Sequence, residues 1–150
     1  MYPHLASLRG VARQQVGDFA LDDVVQESLI RAWRYIDKYD PTRGSPRAWL
    51  MTILLNQCRR HRVRNLWLSR LPDNFDQPAS RPYVEDAELA HAIQRLTSRQ
   101  RQVTILYYIA DLTISDVARV LNLSESAAKS HLSRGRNALG KMIGGGDHGS

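Results

Sequence analysis

The stretch SESAAKSHLSRGR, Ser124 to Arg136, sets short hydroxyl side chains and long cations at intervals that share one side of an α-helix. Ala128, Leu132, Gly135 and Leu139 fall on the other side, at i, i+4, i+7 and i+11, and are expected to pack. Ser126, Ser130, Ser133 and Asn137, flanked by Lys129 and Arg134, then face outward. They offer hydrogen bonds to base edges and charge to phosphates, the chemistry of a helix that reads a DNA major groove. A second set is cationic. From Pro41 to Pro72 the chain carries Arg43, Arg47, Arg59, Arg60, Arg62, Arg64 and Arg70 and no Asp or Glu. Just before this run, YIDKYDPTRGSP places Tyr35 and Tyr39 on a Pro- and Gly-bearing loop, where aromatic faces beside a cationic groove can hold unstacked bases. A third set surrounds Ile30 with Asp23, Gln26, Glu27 and Arg34. An apolar residue centred on a polar, acidic helix face suits a protein partner better than water.

Catalytic chemistry has no comparable support. The five histidines are dispersed without metal-ligand spacing, no Gly-rich phosphate loop follows a strand, and the single Cys58 excludes an internal disulfide. The chain is therefore expected to be no enzyme and to need neither metal nor cofactor. A net charge of +6 with a pI near 9.9 favours a polyanionic partner, and 43% hydrophobic residues suffice to build cores. No apolar run approaches a membrane span and no signal-peptide core opens the chain, so the expectation is a cytoplasmic protein without membrane insertion.

The elements that must position these residues are helical throughout, which makes the fold class all-α. Leu5, Leu8, Ala12 and Val16 mark a first helix ending at Gly17, with Asp18 a candidate cap for the next. Leu21, Val25, Leu29, Ala32 and Ile36 give the second its apolar stripe. Ser45 and Pro46 are an N-cap and first-turn pair for a long helix to about Asn65, with Trp49 in its core. Pro72, Pro78 and Pro82 then interrupt the pattern. Leu89, Ile93 and Leu96 resume it, and Thr97 with Gln100 forms a capping box before Val103, Leu106, Tyr107 and Ala110. Thr113 and Asp116 repeat that box loosely before Ile114, Val117, Ala118 and Leu121. Asn122 can supply the left-handed turn and Ser124 the cap of a helix-turn-helix. The organisation read is a first domain at 1–68, a flexible linker at 69–84, a second domain at 85–143 and a disordered tail at 144–150.

DDVVQESLIRAWRYIDKYDPTRGSPRAWLMTILLNQCRR resembles region 2 of bacterial sigma factors, and LTSRQRQVTILYYIADLTISDVARVLNLSESAAKSHLSRGRNAL resembles region 4. Their order around a proline-rich linker is similar to the extracytoplasmic-function group of the sigma-70 family, RNA polymerase subunits that keep only these two domains. The resemblance implies that Asp23, Gln26, Glu27, Ile30 and Arg31 bind the clamp of core RNA polymerase, with Trp33 in the same motif. It implies that Tyr39, Arg43, Ser45, Arg47, Asn56, Arg59 and Arg60 melt and hold the promoter element at −10. Ser124, Ser126, Lys129, Ser130, Ser133, Arg134 and Arg136 would bind the element at −35, and the stripe around Leu106, Tyr107 and Ile109 would meet the polymerase flap. An anti-sigma factor is a further implied partner. Leu55, Arg60 and the Ala127–Ala128 pair depart from the residues many relatives carry there. Two other classes share features of this chain: a helix-turn-helix regulator that binds duplex DNA without polymerase, and a helical adaptor that uses only the Ile30 face.

Overall fold

The computed structural model describes residues 2–68 and 87–144, and among them there are helices and turns but no strands. The first half is built on α1 (Tyr2–Arg34) and α2 (Pro46–Leu68), joined by two short 3-10 turns at Ile36–Lys38 and Pro41–Arg43. Gly17, with φ 79° and ψ −176°, breaks the helical path inside α1 where the sequence places the end of a first helix. A side chain is strained in that conformation, and glycine is not. Arg13 and Asp18 close an ion pair of 2.7 Å across the kink. Asp18 thus answers a cation as well as standing where a cap was expected.

Buried Leu8, Val11 and Ala12 before the kink and Leu21, Val24 and Val25 after it pack with Met51, Leu54 and Cys58 of α2. Each fully buried aliphatic side chain of this kind contributes about 1.5–3 kcal/mol relative to exposure. The expected stripe needs correction at two positions. Leu29 and Ile36 are exposed, at 41% and 52%, while Val24 and Ser28 take the inward places. Ser28 satisfies its hydroxyl by donating to the Val24 carbonyl at 2.7 Å. Helix α2 begins at Pro46 behind Ser45, whose Oγ accepts from the Ala48 N–H at 3.1 Å, as the sequence indicates. It continues past Asn65 to Leu68, since nothing in Leu66-Trp67-Leu68 stops it.

The second half comprises α3 (Ala87–Gln94), α4 (Ser98–Tyr108), α5 (Ile114–Leu121) and α6 (Glu125–Gly144). Thr97 and Gln100 form the complete capping box of α4. Thr113 caps α5 by accepting from the Asp116 N–H at 3.1 Å. Asn122 takes the left-handed conformation (φ 55°, ψ 48°), and Ser124 Oγ accepts from the Ala127 N–H at 3.0 Å to start α6. Val103, Ile105, Leu106, Val117, Ala118, Ala128 and Leu132 form the core between them. Arg101 donates to the carbonyls of Ile93, Gln94 and Leu96, satisfying the end of α3. The segment read as the linker, 69–84, and the tail beyond Gly144 lie outside the described residues. No helix among the described residues is long and apolar enough to cross a membrane.

Candidate partner and nucleic-acid interfaces

Helix α1 after its kink exposes one continuous face. Leu29, Ile30 and Trp33 are 41%, 42% and 82% exposed, and with Val25, Gln26, Asp22 and Arg9 they line a shallow depression. The Arg9–Asp22 ion pair of 2.7 Å borders it. Three apolar side chains at one surface of a helix, rimmed by charge, have the composition that suits a contact with another protein. Sequence reasoning found Ile30 in this face but put Leu29 in the core. An apolar residue serving a partner carries the same helical signal as one serving the interior.

Asp23, Gln26, Glu27 and Ile30 also form one wall of a groove of about 840 Å³, and Gln57, Arg59, Arg60, His61 and Arg64 of α2 supply the other. The acidic and the cationic sets singled out in the sequence therefore meet across one cleft. Glu27 is already engaged by Arg31, whose Nε donates to its carboxylate at 3.1 Å. That pair sits one helical turn apart and half-exposed, where such bridges contribute little stability and leave the carboxylate oriented for a second partner. His61 stays below its ordinary pKa because burial penalises its charged form and Arg64 repels it, Asp23 opposing both. Asn65 pairs with its Nε2 at 3.1 Å.

A smaller pocket of about 330 Å³ lies around the corner, lined by Arg31, Tyr35, Ile53, Asn56, Gln57, Arg59 and Arg60. Gln57, Arg59 and Arg60 line both cavities, and Arg31 connects them through its bond to Glu27. The loop that follows is shaped by its own hydrogen bonds. Asp40 accepts from the Thr42 N–H at 3.0 Å and hydroxyl at 2.7 Å, and these bonds hold its carboxyl below the usual value. Tyr39 donates to the Gly44 carbonyl at 3.0 Å and leans on Trp49 with ring centroids 5.4 Å apart. Arg43 is exposed on this loop. Tyr39, Arg43, Ser45 and Arg47 therefore cluster at the head of α2, while Asn56, Arg59 and Arg60 lie further along the same helix.

On α6 the inner and outer faces divide as the spacing indicates. Ala128 and Leu132 are buried, whereas Ser126, Lys129, Ser130, Ser133, Arg134 and Asn137 are exposed, with Ser124 at the cap. Arg136 is placed differently. Its guanidinium lies 5.8 Å and 5.5 Å from the ring centres of Tyr107 and Tyr108, and its Nε donates to the Tyr108 hydroxyl. It braces α6 against α4 instead of pointing along the outward row. Leu106 is fully buried, so the stripe expected to meet another protein lacks its first member, and Tyr108, 52% exposed, is the aromatic at that surface. Among the described residues no group of three or more His, Cys, Asp and Glu could hold a metal ion.

Comparison with known proteins draws these surfaces together. The family model described as Sigma-70 region 2 matches residues 2–68, and that described as Sigma-70, region 4 matches residues 86–139. The ECF RNA polymerase sigma factor EcfG of Rhodopseudomonas palustris is 31% identical over 128 residues, covering 81% of this chain and 70% of its own. The RNA polymerase sigma factor CnrH of Cupriavidus metallidurans is 30% identical, with 95% and 86% covered. Among solved structures, the sigma factor RpoE in complex with the anti-sigma factor NepR from Bartonella quintana is similar with a TM-score of 0.75 at 26% identity, covering 94% of this chain and 92% of that one. CnrH in complex with the cytosolic domain of CnrY gives a TM-score of 0.68 at 28% identity, with 95% and 82% covered.

Proposed function

The chain belongs to the extracytoplasmic-function group of the sigma-70 family, and on that premise we propose that it is the promoter-specificity subunit of an RNA polymerase. It binds core polymerase, recognises promoter elements at −10 and −35, and directs initiation without a catalytic group of its own. The carrying observation is the face of α1 on which Leu29, Ile30 and Trp33 stand exposed beside Gln26 and Glu27, one cleft away from Arg59 and Arg60. A regulator working alone on duplex DNA has no use for such an apolar face. An adaptor has no use for the cations or the outward row of α6.

In this reading the domain at 1–68 serves polymerase and the −10 element, and that at 85–143 serves the −35 element. Asp23, Gln26, Glu27, Ile30 and Arg31, joined by Leu29 and Trp33, meet the polymerase clamp. Tyr35 and Tyr39 offer ring faces to bases of the melted strand, and Arg43, Arg47, Arg59 and Arg60 neutralise its phosphates. Asn56 lines the pocket of about 330 Å³, where its amide suits a base edge. Ser124, Ser126, Lys129, Ser130, Ser133 and Arg134 contact the −35 duplex in the major groove. Tyr107, Tyr108 and Ile109 face the flap. An anti-sigma factor is a further partner, as in the complexes of the similar RpoE and CnrH, and the place of action is the cytoplasm.

Mobility-shift assays on promoter-bearing DNA, with and without core polymerase, test this assignment. A sigma factor shifts the DNA specifically only together with core. A specific shift by the chain alone supports the regulator, and core binding without promoter preference supports the adaptor.

A further inference from the structure

The two halves of the chain touch at two places. At one, Ser45 Oγ donates to Asp116 Oδ2 at 2.9 Å. At the other, Gln94 Nε2 donates to the carbonyl and the side-chain oxygen of Gln14, at 2.9 and 2.8 Å. This second junction brings cations together. Beside Gln14, Gln15 accepts from Arg62 Nη1 of α2 at 2.6 Å. Arg62 does not line the groove that takes in Arg59, Arg60 and Arg64, and it serves none of the surfaces described above. Across the junction Arg101 of α4 grips the end of α3, with Nε on the Ile93 carbonyl at 3.3 Å and Nη2 on those of Gln94 and Leu96 at 2.8 and 3.1 Å. A continuous path of bonds thus runs from Arg62 through Gln15, Gln14 and Gln94 to Arg101.

No carboxylate balances these two guanidinium groups. Arg9, Arg13, Arg31 and Arg47 each face one between 2.7 and 3.7 Å away. Arg62 meets only a neutral amide, and Arg101 only carbonyls. Burial and then the nearby Arg62 charge hold Arg101 below its ordinary value, with no acidic group opposing them. Donors are left over as well. Among the described residues Arg62 Nε and Nη2 and Arg101 Nη1 have no acceptor. Gln15 Nε2 is buried without one, and its amide cannot turn to find one because its oxygen holds Arg62.

Two like charges held together, with spare donors from α1, α2 and α4 around them, match the oxygens of a phosphate group, which guanidinium forks grip with two bonds each. Both forks are fixed beforehand, one by Gln15 and the other by the end of α3, so little freedom is lost when an anion arrives. We propose that Arg62 and Arg101, with Gln15 beside them, form a binding site for a small phosphate-bearing anion, inorganic phosphate or the phosphate end of a nucleotide, which bridges α2 to the corner between α3 and α4. Such binding needs neither promoter nor polymerase, so its failure and that of the sigma reading are told apart.

The full-length chain is titrated with inorganic phosphate, pyrophosphate and ATP at constant ionic strength, with binding read by calorimetry and melting temperature beside it. The parent is expected to bind saturably and to melt higher with each anion that binds. Arg62→Gln should weaken binding by about tenfold or more, since a charge-assisted pair is lost. Arg99→Gln, which removes an equal charge from the exposed side of α4, should leave binding as it is. Arg62→Glu sets a carboxylate in the anion's place. It should lose the response to phosphate yet melt, without phosphate, no lower than the parent, which separates loss of the site from loss of the fold. Equal affinity for the three anions makes free phosphate sufficient, and tighter binding of pyrophosphate or ATP points to a nucleotide source; both support the site. No saturable binding, binding unchanged in both Arg62 variants, or an equal loss in Arg99→Gln would overturn it. So would oligo(dT) binding tighter than any small anion and lost in Arg62→Gln, which would assign these cations to a DNA strand.

Discussion

Cys58 is fully buried between α1 and α2, and burial pushes its thiol up to about 12, with Arg62 pulling the other way. Two outcomes follow. An aromatic disulfide reagent at mildly alkaline pH is expected to leave the folded chain unmodified and to titrate one thiol on unfolding. Since the folded value lies above the unfolded value of 9.0, this group's contribution is full below pH 9.0 and is lost as pH rises from there toward about 12. Replacing Cys58 by Ala should therefore flatten the alkaline limb of the stability profile. On α6 single residues divide by direction. Lys129→Ala is expected to change preference among variant −35 elements by about 1–3 kcal/mol if it meets a base, or to weaken all of them alike if it meets a phosphate. Arg136→Ala should instead lower the melting temperature, because Arg136 spends its guanidinium on Tyr107 and Tyr108. Run-off transcription from a panel of upstream elements, beside thermal melts, separates these. The spacing of Lys129, Ser130 and Arg134 made the outward row legible in sequence. The capture of Arg136 was not, because its partners lie on another helix, 28 residues away.

At the scale of elements, the caps were the most legible features. Ser45, Thr97, Thr113, Asn122 and Ser124 all act where their types and positions indicate, since a cap is a bond within one turn of chain. The apolar stripes were less so. Leu29 in α1 and Ile36 in the 3-10 turn after it fit the inward period read from the sequence yet face out, because periodicity marks apolar faces without saying whether the chain itself covers them. A close approach of two helices hides in a glycine. A Cβ at Gly135 would stand 2.6 Å from Thr104 Oγ1, with Thr104 buried on α4. Gly135→Ala is thus expected to cost about 1–3 kcal/mol through overpacking, despite alanine's better helix propensity. Thr104→Ala in the same chain should recover much of that loss, and a double-mutant cycle by urea denaturation reads the coupling directly. Additive effects would mean that α4 and α6 do not meet at this point.

At the scale of the molecule, both halves and their order were legible because each carries its own motif, whereas the contact between them was not. Ser45 and Asp116 are 71 residues apart and Gln14 and Gln94 are 80 apart, with no local pattern announcing either pair. The proposed function needs the whole: one half exposes an apolar face proposed to meet a protein and cations proposed to meet a strand, and the other carries the helix proposed to read duplex DNA. Glu27→Arg reverses a charge on the groove wall beside the face proposed to meet polymerase and off the core, and a reversed charge in a desolvated contact costs on the order of several kcal/mol. The most direct measurement is run-off transcription on a library of genomic fragments with purified core polymerase, with start sites mapped for the parent chain and for Glu27→Arg. Under the proposed function the parent creates new start sites sharing a pair of upstream elements, and Glu27→Arg, equally folded, creates none. New starts made equally by Glu27→Arg, or a core polymerase whose starts the parent leaves unchanged, would contradict it.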